Sequence, residues 1–504
     1  MTQQSIINQA IERHAQQFPE HIALRGAAIA LSYAELSSAI KYQVANWREL
    51  CTDNHPTVAL AIENHPAWAI LDLAALECEI PLIPLPFFFS PAQWLHAIEN
   101  AGATLLITDR PELFESLLAK ITLHRIQFEL AGKLLTQFSL YTAKESNLPA
   151  GTAKITYTSG TTGNPKGVCL SIENMLSVAK SIADATRLTS EDVHLNVLPL
   201  ATLLENVAGI YAPLLAGATC VLLPSNQIGL SGAAGLDIKK LFSTLNATKA
   251  STAIFTPELL HALVSYLETG LQAPDSLRFL AVGGASVSPA LLNRAKKLAI
   301  PVFEGYGLSE CASVVALNVP YINKIGSAGR PLPHIKIEFT DENEIVVIGN
   351  AYLGYVGEQN ARQDSIHTGD IGHIDENDFL FITGRKKNIF ITSFGRNVSP
   401  EWVERELKIS PHIAQAALYG EARPWNVAVI VLRQEASEDK ITAAVQEVNS
   451  SLPDYARITR WIIADEPFSL KNEQLTSNGR NRRDMIWQCY QDRINALYEK
   501  GNNV

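Results

Sequence analysis

Ten consecutive residues, Thr158-Ser159-Gly160-Thr161-Thr162-Gly163-Asn164-Pro165-Lys166-Gly167, gather four hydroxyls, three glycines and a lysine. Glycines let a backbone approach a polyanion, hydroxyls and amides donate hydrogen bonds to it, and the lysine adds charge. The chemistry this suggests is the holding of phosphates. The P-loop of kinases and GTPases is excluded, because Pro165 stands where its second glycine belongs and Gly167 where its Ser/Thr belongs. The plainer alternative is a surface hairpin rich in turn formers.

Two further clusters extend the pattern. Phe279-Leu280-Ala281-Val282 reads as a buried strand ending in Gly283-Gly284-Ala285, with Ser288 as cap and Pro289 as first residue of the next helix. Val302-Phe303 reads as a short strand ending in the loop Glu304-Gly305-Tyr306-Gly307-Leu308-Ser309-Glu310. Ligands sit beyond the carboxyl ends of parallel strands. Glycines there leave room for a flat base, Tyr306 can stack on it, and Glu310 is a hard oxygen ligand suited to Mg²⁺ on phosphates. The third cluster is His367-Thr368-Gly369-Asp370 followed by Thr383-Gly384-Arg385. An aspartate can bind both hydroxyls of a ribose, and an arginine can steady phosphate or ribose. Turn chemistry and surface charge are the plainer readings of Asp370 and Arg385.

These loops need a scaffold of alternating strands and helices. Ser32 predicts a helix start. Residues 57–62, 81–86 and 105–108 are short apolar runs, and residues 67–76 have helical spacing. Such alternation predicts parallel βαβ units. The aromatic run 84–89 reads as a rigid loop, covering a core or packed in a subunit contact rather than anchoring to a membrane. Residues 335–339 and 345–348 are short strands among many glycines, which predicts a small β-rich subdomain. Beyond Lys387, helices at 403–407 and 441–449 alternate with strands at 416–419 and 428–432, as in a separate α+β domain.

Composition narrows the function. With 47% hydrophobic and 18% charged residues, 504 residues do not describe a disordered chain. A net charge of -10 argues against a nucleic-acid wrapper, which needs a basic face. Six scattered cysteines lack metal or redox spacing, so a reduced, cytoplasmic compartment is expected. Residues 207–223 are mostly apolar, but Gly209, Pro213 and Gly217 interrupt them. A buried helix ending near Gly217 and a strand at 218–223 are expected rather than a membrane span.

The three clusters, in this order, resemble the AMP-forming acyl-adenylate superfamily of acyl-CoA synthetases, peptide-synthetase adenylation domains and luciferases. The likeness runs from about residue 11 to about residue 483. It rests on runs 157–167 and 306–310, and on stretch 368–404 with Asn397-Val398-Ser399-Pro400. Leu198-Pro199-Leu200 with Glu205, Ser393-Phe394-Gly395-Arg396-Asn397 and Leu475-Thr476 make it most similar to long-chain fatty acyl-CoA synthetases. The resemblance implies that Thr158, Ser159, Gly160, Thr161, Thr162, Gly163 and Lys166 hold the phosphates of ATP. Gly283, Gly284, Ala285, Glu304, Gly305, Tyr306 and Gly307 would line adenine and the start of the acyl pocket. Ser309 would touch the α-phosphate, Glu310 the Mg²⁺, and Asp370 with Arg385 the ribose. Lys387 would be a hinge, and Ser393, Gly395 and Arg396 would line the tunnel for a thiol.

Two positions depart from the superfamily's pattern. Arg480 stands where a catalytic lysine is usual, and Ala201-Thr202-Leu203 replaces a stretch that often carries a histidine. Arginine keeps the charge, but not the ammonium's geometry. The resemblance predicts an α/β fold. A large domain of parallel βαβ sheets would span residues 1–385, with a small β-barrel-like subdomain at about 320–385. A mobile α+β lid would span 386–504. The expected activity is ATP-dependent ligation of an apolar carboxylic acid to coenzyme A, with Lys166, Arg385 and Arg480 catalytic. An acyl carrier protein as acceptor, β-lactone closure of a 3-hydroxy acid and a regulatory nucleotide-binding pseudoenzyme are the alternatives.

Overall fold

The computed structural model describes residues 5–50, 56–141, 147–158, 165–231, 235–358, 364–433, 436–476 and 479–499. Two large sheets carry the fold. The nine-stranded one runs in the order Arg330–Pro331, Ser313–Leu317, Val302–Leu308, Phe279–Val282, Thr252–Phe255, Val193–Leu195, Thr219–Val221, Ile22–Arg25, Ala30–Ser32. The eight-stranded one runs Gly354–Tyr355, Lys166–Leu170, Lys154–Thr158, Leu82–Pro84, Val58–Ala61, Leu105–Thr108, Lys133–Leu140, Thr122–Leu130. Their central strands are parallel and buried on both faces, which is why they read as unbroken apolar runs.

Local signals set the helices between them. Ser171 caps the helix Ile172–Thr186 with a reciprocal bond from Asn174. Ser288 caps Pro289–Lys297, and Ser32 accepts from the Glu35 amide at the start of Tyr33–Leu50. The helix Pro66–Glu77 is buried from Pro66 to Leu76. One lysine and one aspartate in this apolar region find each other. Lys154 Nζ donates to Asp72 Oδ1 at 2.6 Å, to the Tyr211 hydroxyl at 2.7 Å and to the Asn206 carbonyl oxygen, so all three of its N–H groups are used. Tyr211 and Asn206 donate in turn to the other oxygen of Asp72, at 2.6 and 3.0 Å. Burial pulls the Lys154 pKa down, and Asp72 pulls it back. The cluster ties together a strand, a helix and the segment from Leu203 to Gly217. That segment ends at Gly217 as expected, but a π-helical turn, Val207–Tyr211, interrupts it. No helix of the described residues is long and apolar enough to cross a membrane.

The β-rich subdomain is a four-stranded antiparallel sheet of Lys336–Phe339, Glu344–Ile348, Ser365–Ile374 and Leu380–Arg385. Its outer strands do not pair with each other, so it is an open sheet rather than a barrel. The C-terminal part has a three-stranded sheet, Ile413–Tyr419, Asn426–Leu432 and Ile458–Ile463, with helices Pro400–Leu407, Glu438–Ser451 and Arg483–Glu499. Its apolar clusters contain only residues from Phe390 onward, and those of the large domain contain only residues before it. The two parts therefore have separate cores.

Candidate active site

The sheet ends, the small sheet and the C-terminal part meet around one cleft of about 3930 Å³. A single small-molecule pocket is typically ~300–1,000 Å³, so this cleft has room for several co-substrates.

Its glycine-lined wall comes from the nine-stranded sheet. The strand expected to stop at Phe303 continues to Leu308. It pairs in parallel with Phe279–Val282 up to Glu304, then antiparallel with Ser313–Leu317 from Gly305 on. The reason is the close approach of two backbones: a Cβ on Gly307 would lie 1.6 Å from the Ser313 carbonyl oxygen. Gly283, Gly284 and Ala285 follow the neighbouring strand, and Gly284 has φ +82°. Thr158 ends its own strand and faces Lys166 in a hairpin. Ser159, Gly160, Thr161, Thr162 and Gly163 lie outside the described residues.

Asp370, for which a turn was the plainer alternative, lies within the strand Ser365–Ile374, directly opposite Arg385. Tyr306 donates to Asp370 Oδ2 at 2.7 Å, and Arg385 Nε lies 2.8 Å from Asp370 Oδ1. Each neighbour holds one oxygen, which fixes the carboxylate plane. A carboxylate offers about four lone-pair sites, so the pair leaves acceptor capacity for ligand hydroxyls. Burial, with Asp370 next, pushes the Tyr306 hydroxyl well above its usual pKa.

Arg480 enters the same corner from the C-terminal part, its Nη2 donating to the Gly284 carbonyl at 3.3 Å. The guanidinium is open to solvent, yet protein surrounds it on the cleft wall. Its pKa is lowered by burial first and then by Arg385, against the pull of Asp370. Lys387 is lowered by burial and then by Arg385 and Arg480. Three cations thus press on one another against the two carboxylates of Asp370 and Glu401, an arrangement that an anionic ligand would relieve.

Glu310 and Lys166 meet at a residue that sequence reasoning missed. The Tyr355 hydroxyl donates to Glu310 Oε1 at 2.9 Å, and Lys166 Nζ lies 4.9 Å from the Tyr355 ring centroid. Tyr355 is part of a two-residue strand against Val168 and Cys169, and its only sequence signal is the preceding glycine. One carboxylate with a cation nearby suits Mg²⁺ carried in on phosphates, since that ion keeps most of its ligands as water and phosphate oxygen. Ser309 lines the cleft one residue before Glu310.

Glu304 lies under the glycine wall and accepts from the Gly326 amide at 3.2 Å. Burial raises its pKa to about 7. Between about pH 4.5 and 7 the unfolded chain ionises this group while the folded one stays protonated, so its contribution to stability falls as pH rises through that window. Glu304→Gln is expected to flatten this part of the melting-temperature profile between pH 5 and 8. Parallel wild-type and variant profiles would contradict the assignment.

The cleft lining includes the aliphatic side chains of Ile182, Leu188, Leu203, Leu204, Ile254 and Leu317. His194 Nδ1 is 2.8 Å from Thr252 Oγ1, and its Nε2 is 3.4 Å from Glu205 Oε1. Burial raises the Glu205 pKa, and His194 opposes the rise. Ser393, Gly395 and Arg396 do not line the cleft. They form an exposed turn in which the Thr392 amide donates to the Arg396 carbonyl at 2.9 Å, and neighbouring Phe394 is 73% exposed.

Sheet-end glycines, a fixed carboxylate and converging cations frame the cleft between a large domain and a smaller one. The sequence profile of the AMP-binding enzyme family matches residues 11–358, and that of the AMP-binding enzyme C-terminal domain matches residues 387–502. The chain belongs to the AMP-binding enzyme family. The 2-succinylbenzoate–CoA ligase of Bacillus velezensis is 28% identical over 465 residues, covering 87% of this chain and 91% of that protein. The long-chain-fatty-acid–CoA ligase FadD15 of Mycobacterium tuberculosis is 25% identical over 533 residues, covering 86% of each. Among solved structures, o-succinylbenzoate CoA synthetase (MenE) from Bacillus subtilis with its acyl-adenylate superposes with a TM-score of 0.75 at 24% identity, covering 95% of this chain and 97% of that one. Anthranilate CoA ligase AuaEII with anthranoyl-AMP gives 0.80 at 18% identity, covering 97% and 98%. At these identities the structural likeness is one of fold.

Proposed function

We propose that the protein is an ATP-dependent ligase that converts a fatty or similarly apolar carboxylic acid to an acyl-AMP and transfers the acyl group to coenzyme A. The observation that carries this reading is the convergence of Arg385, Lys387 and Arg480 on Asp370, at the glycine-lined end of a cleft with room for several ligands. A carboxylate is a poor electrophile. Its oxygen attacks the α-phosphorus of ATP, the bond to the bridging oxygen breaks, and pyrophosphate leaves. The thiol of coenzyme A then loses its proton and attacks the acyl carbon, and AMP leaves with the bonding pair. The first step brings an anion to an anion, so it needs positioning and cations rather than a covalent partner on the protein. Thr158 and Lys166 are assigned to the phosphates, Ser309 to the α-phosphate, Glu310 to Mg²⁺, and Asp370 with Arg385 to the ribose. Glu310→Ala is expected to cut turnover while leaving the melting temperature within a few degrees. Unchanged turnover at limiting Mg²⁺ would remove the metal role.

The large domain is taken to end at residue 385 and the lid to begin at 386, with Lys387 as hinge. The exposed turn at residues 393–396 supports a second lid orientation, in which that turn faces the cleft and lines the thiol tunnel. Lys387→Pro, which fixes φ, is expected to spare acyl-AMP formation and slow thioester formation. Equal loss of both half-reactions would count against a rotating lid.

The aliphatic side chains in the cleft lining support an apolar acid. The relatives that act on 2-succinylbenzoate support an aromatic one instead. Pyrophosphate release measured over straight-chain fatty acids and benzoates, with and without coenzyme A, separates these readings. Release with fatty acids and thioester only with coenzyme A is expected. Release with benzoates alone would move the substrate class. Thioester formed only on an acyl carrier protein would move the acceptor, and no ATP binding with Mg²⁺ present would remove the whole reading.

A further inference from the structure

The strand Thr122–Leu130 closes one side of the eight-stranded sheet, and among the described residues no strand pairs with its outer edge. It is nine residues long, and only Leu130 is buried. Proteins usually protect such an edge with charged side chains, lysine above all, with proline, with bulges or by keeping the strand short; here the charges are Arg125 and Glu129. The sequence Thr-Leu-His-Arg-Ile-Gln-Phe-Glu-Leu has no lysine, proline or glycine. The sole irregularity in its pairing with Lys133–Leu140 lies at its start, between Thr122 and His124. Exposed apolar side chains gather on the same hairpin: Leu123 at 59%, Ile126 at 54%, Leu134 at 60% and, just past its end, Tyr141 at 59%.

We propose that this edge is the dimer interface of the protein, in which two copies pair their Thr122–Leu130 strands antiparallel across a two-fold axis. The strand is complementary to itself. Pairing that keeps each face of the sheet continuous must put a residue, not a gap, on the axis, because side chains alternate between faces. With Gln127 on the axis, Arg125 lies opposite Glu129 of the partner subunit, and Ile126 lies opposite Phe128 of the partner subunit. By symmetry each pair occurs twice. Centring on Ile126 or Phe128 leaves Glu129 opposite an uncharged residue, and centring on Arg125 sets two arginines against each other. Within its own chain Arg125 already holds Glu115 at 2.7 Å, but a guanidinium has five donors and can take a second carboxylate. Among the described residues Glu129 has no ion-pair partner in its own chain. Opposite charges and apolar pairs directly across a ladder each favour pairing.

The test is the molar mass of the full chain by light scattering, over about 1–50 µM, a range where a standard-sized interface is populated. A mass twice the 55.1 kDa of the chain is expected. Arg125→Glu and Glu129→Arg should each weaken dimerisation at least tenfold, since each sets like charges across the axis. The double variant Arg125→Glu with Glu129→Arg should restore the dimer, because the swapped charges face each other again. Ile126→Lys should give a monomer with an unchanged circular dichroism spectrum and melting temperature. A monomeric wild type overturns the proposal, including one whose edge binds lipid vesicles or another protein. So does a dimer that survives both Ile126→Lys and the single charge reversals, which would place the interface elsewhere. Failure of the double variant to recover where the single ones fail would overturn the register.

Discussion

Arg480→Ala is expected to slow acyl-AMP formation about 10²-fold or more, the usual size for a lost transition-state contact. The residue sits on a turn that is held at its base. Leu475 bridges to Asn481, the Thr476 amide donates to the Arg480 carbonyl at 2.8 Å, and the Arg480 amide donates to Thr476 Oγ1 at 3.1 Å. The turn therefore aims the guanidinium, and its contact with the Gly284 carbonyl shows where it is aimed. Arg385 opposes its charge and burial disfavours it, so charge developing on a phosphate is the group best placed to offset both. Arg480→Lys is expected to keep or raise the rate of adenylation. It supplies the ammonium that the superfamily uses, although the planar fork of arginine is lost. Transfer from chemically supplied acyl-AMP should change little in either variant. Single-turnover formation of acyl-AMP is the measurement. An alanine variant with wild-type adenylation would make Arg480 a bystander. A wild type that forms no acyl-AMP, beside an Arg480→Lys variant that does, would mean the first half-reaction has been lost from this chain.

The second large effect lies in the core. Asp72→Ala leaves the Lys154 ammonium buried without its counter-charge, and breaking a buried ion pair from one side costs about 3–5 kcal/mol. A matching drop in urea stability is expected. Lys154→Met combined with Asp72→Leu should cost less than Asp72→Ala alone, because a buried pair replaced whole by apolar groups removes the desolvation cost with the attraction. A shift below about 1 kcal/mol in Asp72→Ala, the size of an ordinary hydrogen bond, would show that the cluster relaxes and does not bind the three elements together.

This cluster also shows what a sequence can and cannot reveal. A lone aspartate in the apolar helix Pro66–Glu77 and a lone lysine opening an apolar strand were visible, and opposite charges in buried elements need partners. Nothing local said that they were each other's. Caps and apolar runs fixed most of the large domain correctly, because Ser32, Ser171 and Ser288 act within one turn. The hairpin Thr122–Leu140 was missed although Ile126-Gln127-Phe128-Glu129-Leu130 alternates apolar and polar residues, a pattern short enough to be passed over between the longer apolar runs. The strand Val302–Leu308 was read too short because glycines at 305 and 307 mimic a turn. Only the facing backbone of Ser313–Leu317 shows that they are there to let two strands touch. In the site, Tyr306, Asp370, Arg385 and Arg480 were picked from three distant stretches, and the structure gathers them. Tyr355 was missed because its role depends on a pairing some 190 residues away from its strand partner Val168.

The separate cores of the two domains bear on how easily their relation can change. The contacts between them include the Ser288 hydroxyl to Glu406, Lys408 near Glu258, and Arg480 to Gly284. Each is polar, and the last two line the cleft. Moving one domain against the other exchanges such bonds for bonds to water, at a net value of about 1 kcal/mol apiece, and exposes no packed interior. If the lid turns as proposed, the two arrangements are expected to lie within a few kcal/mol, which is the range that one ligand's preference for either can tip. On the proposed lid motion, what occupies the cleft would then set the balance between them.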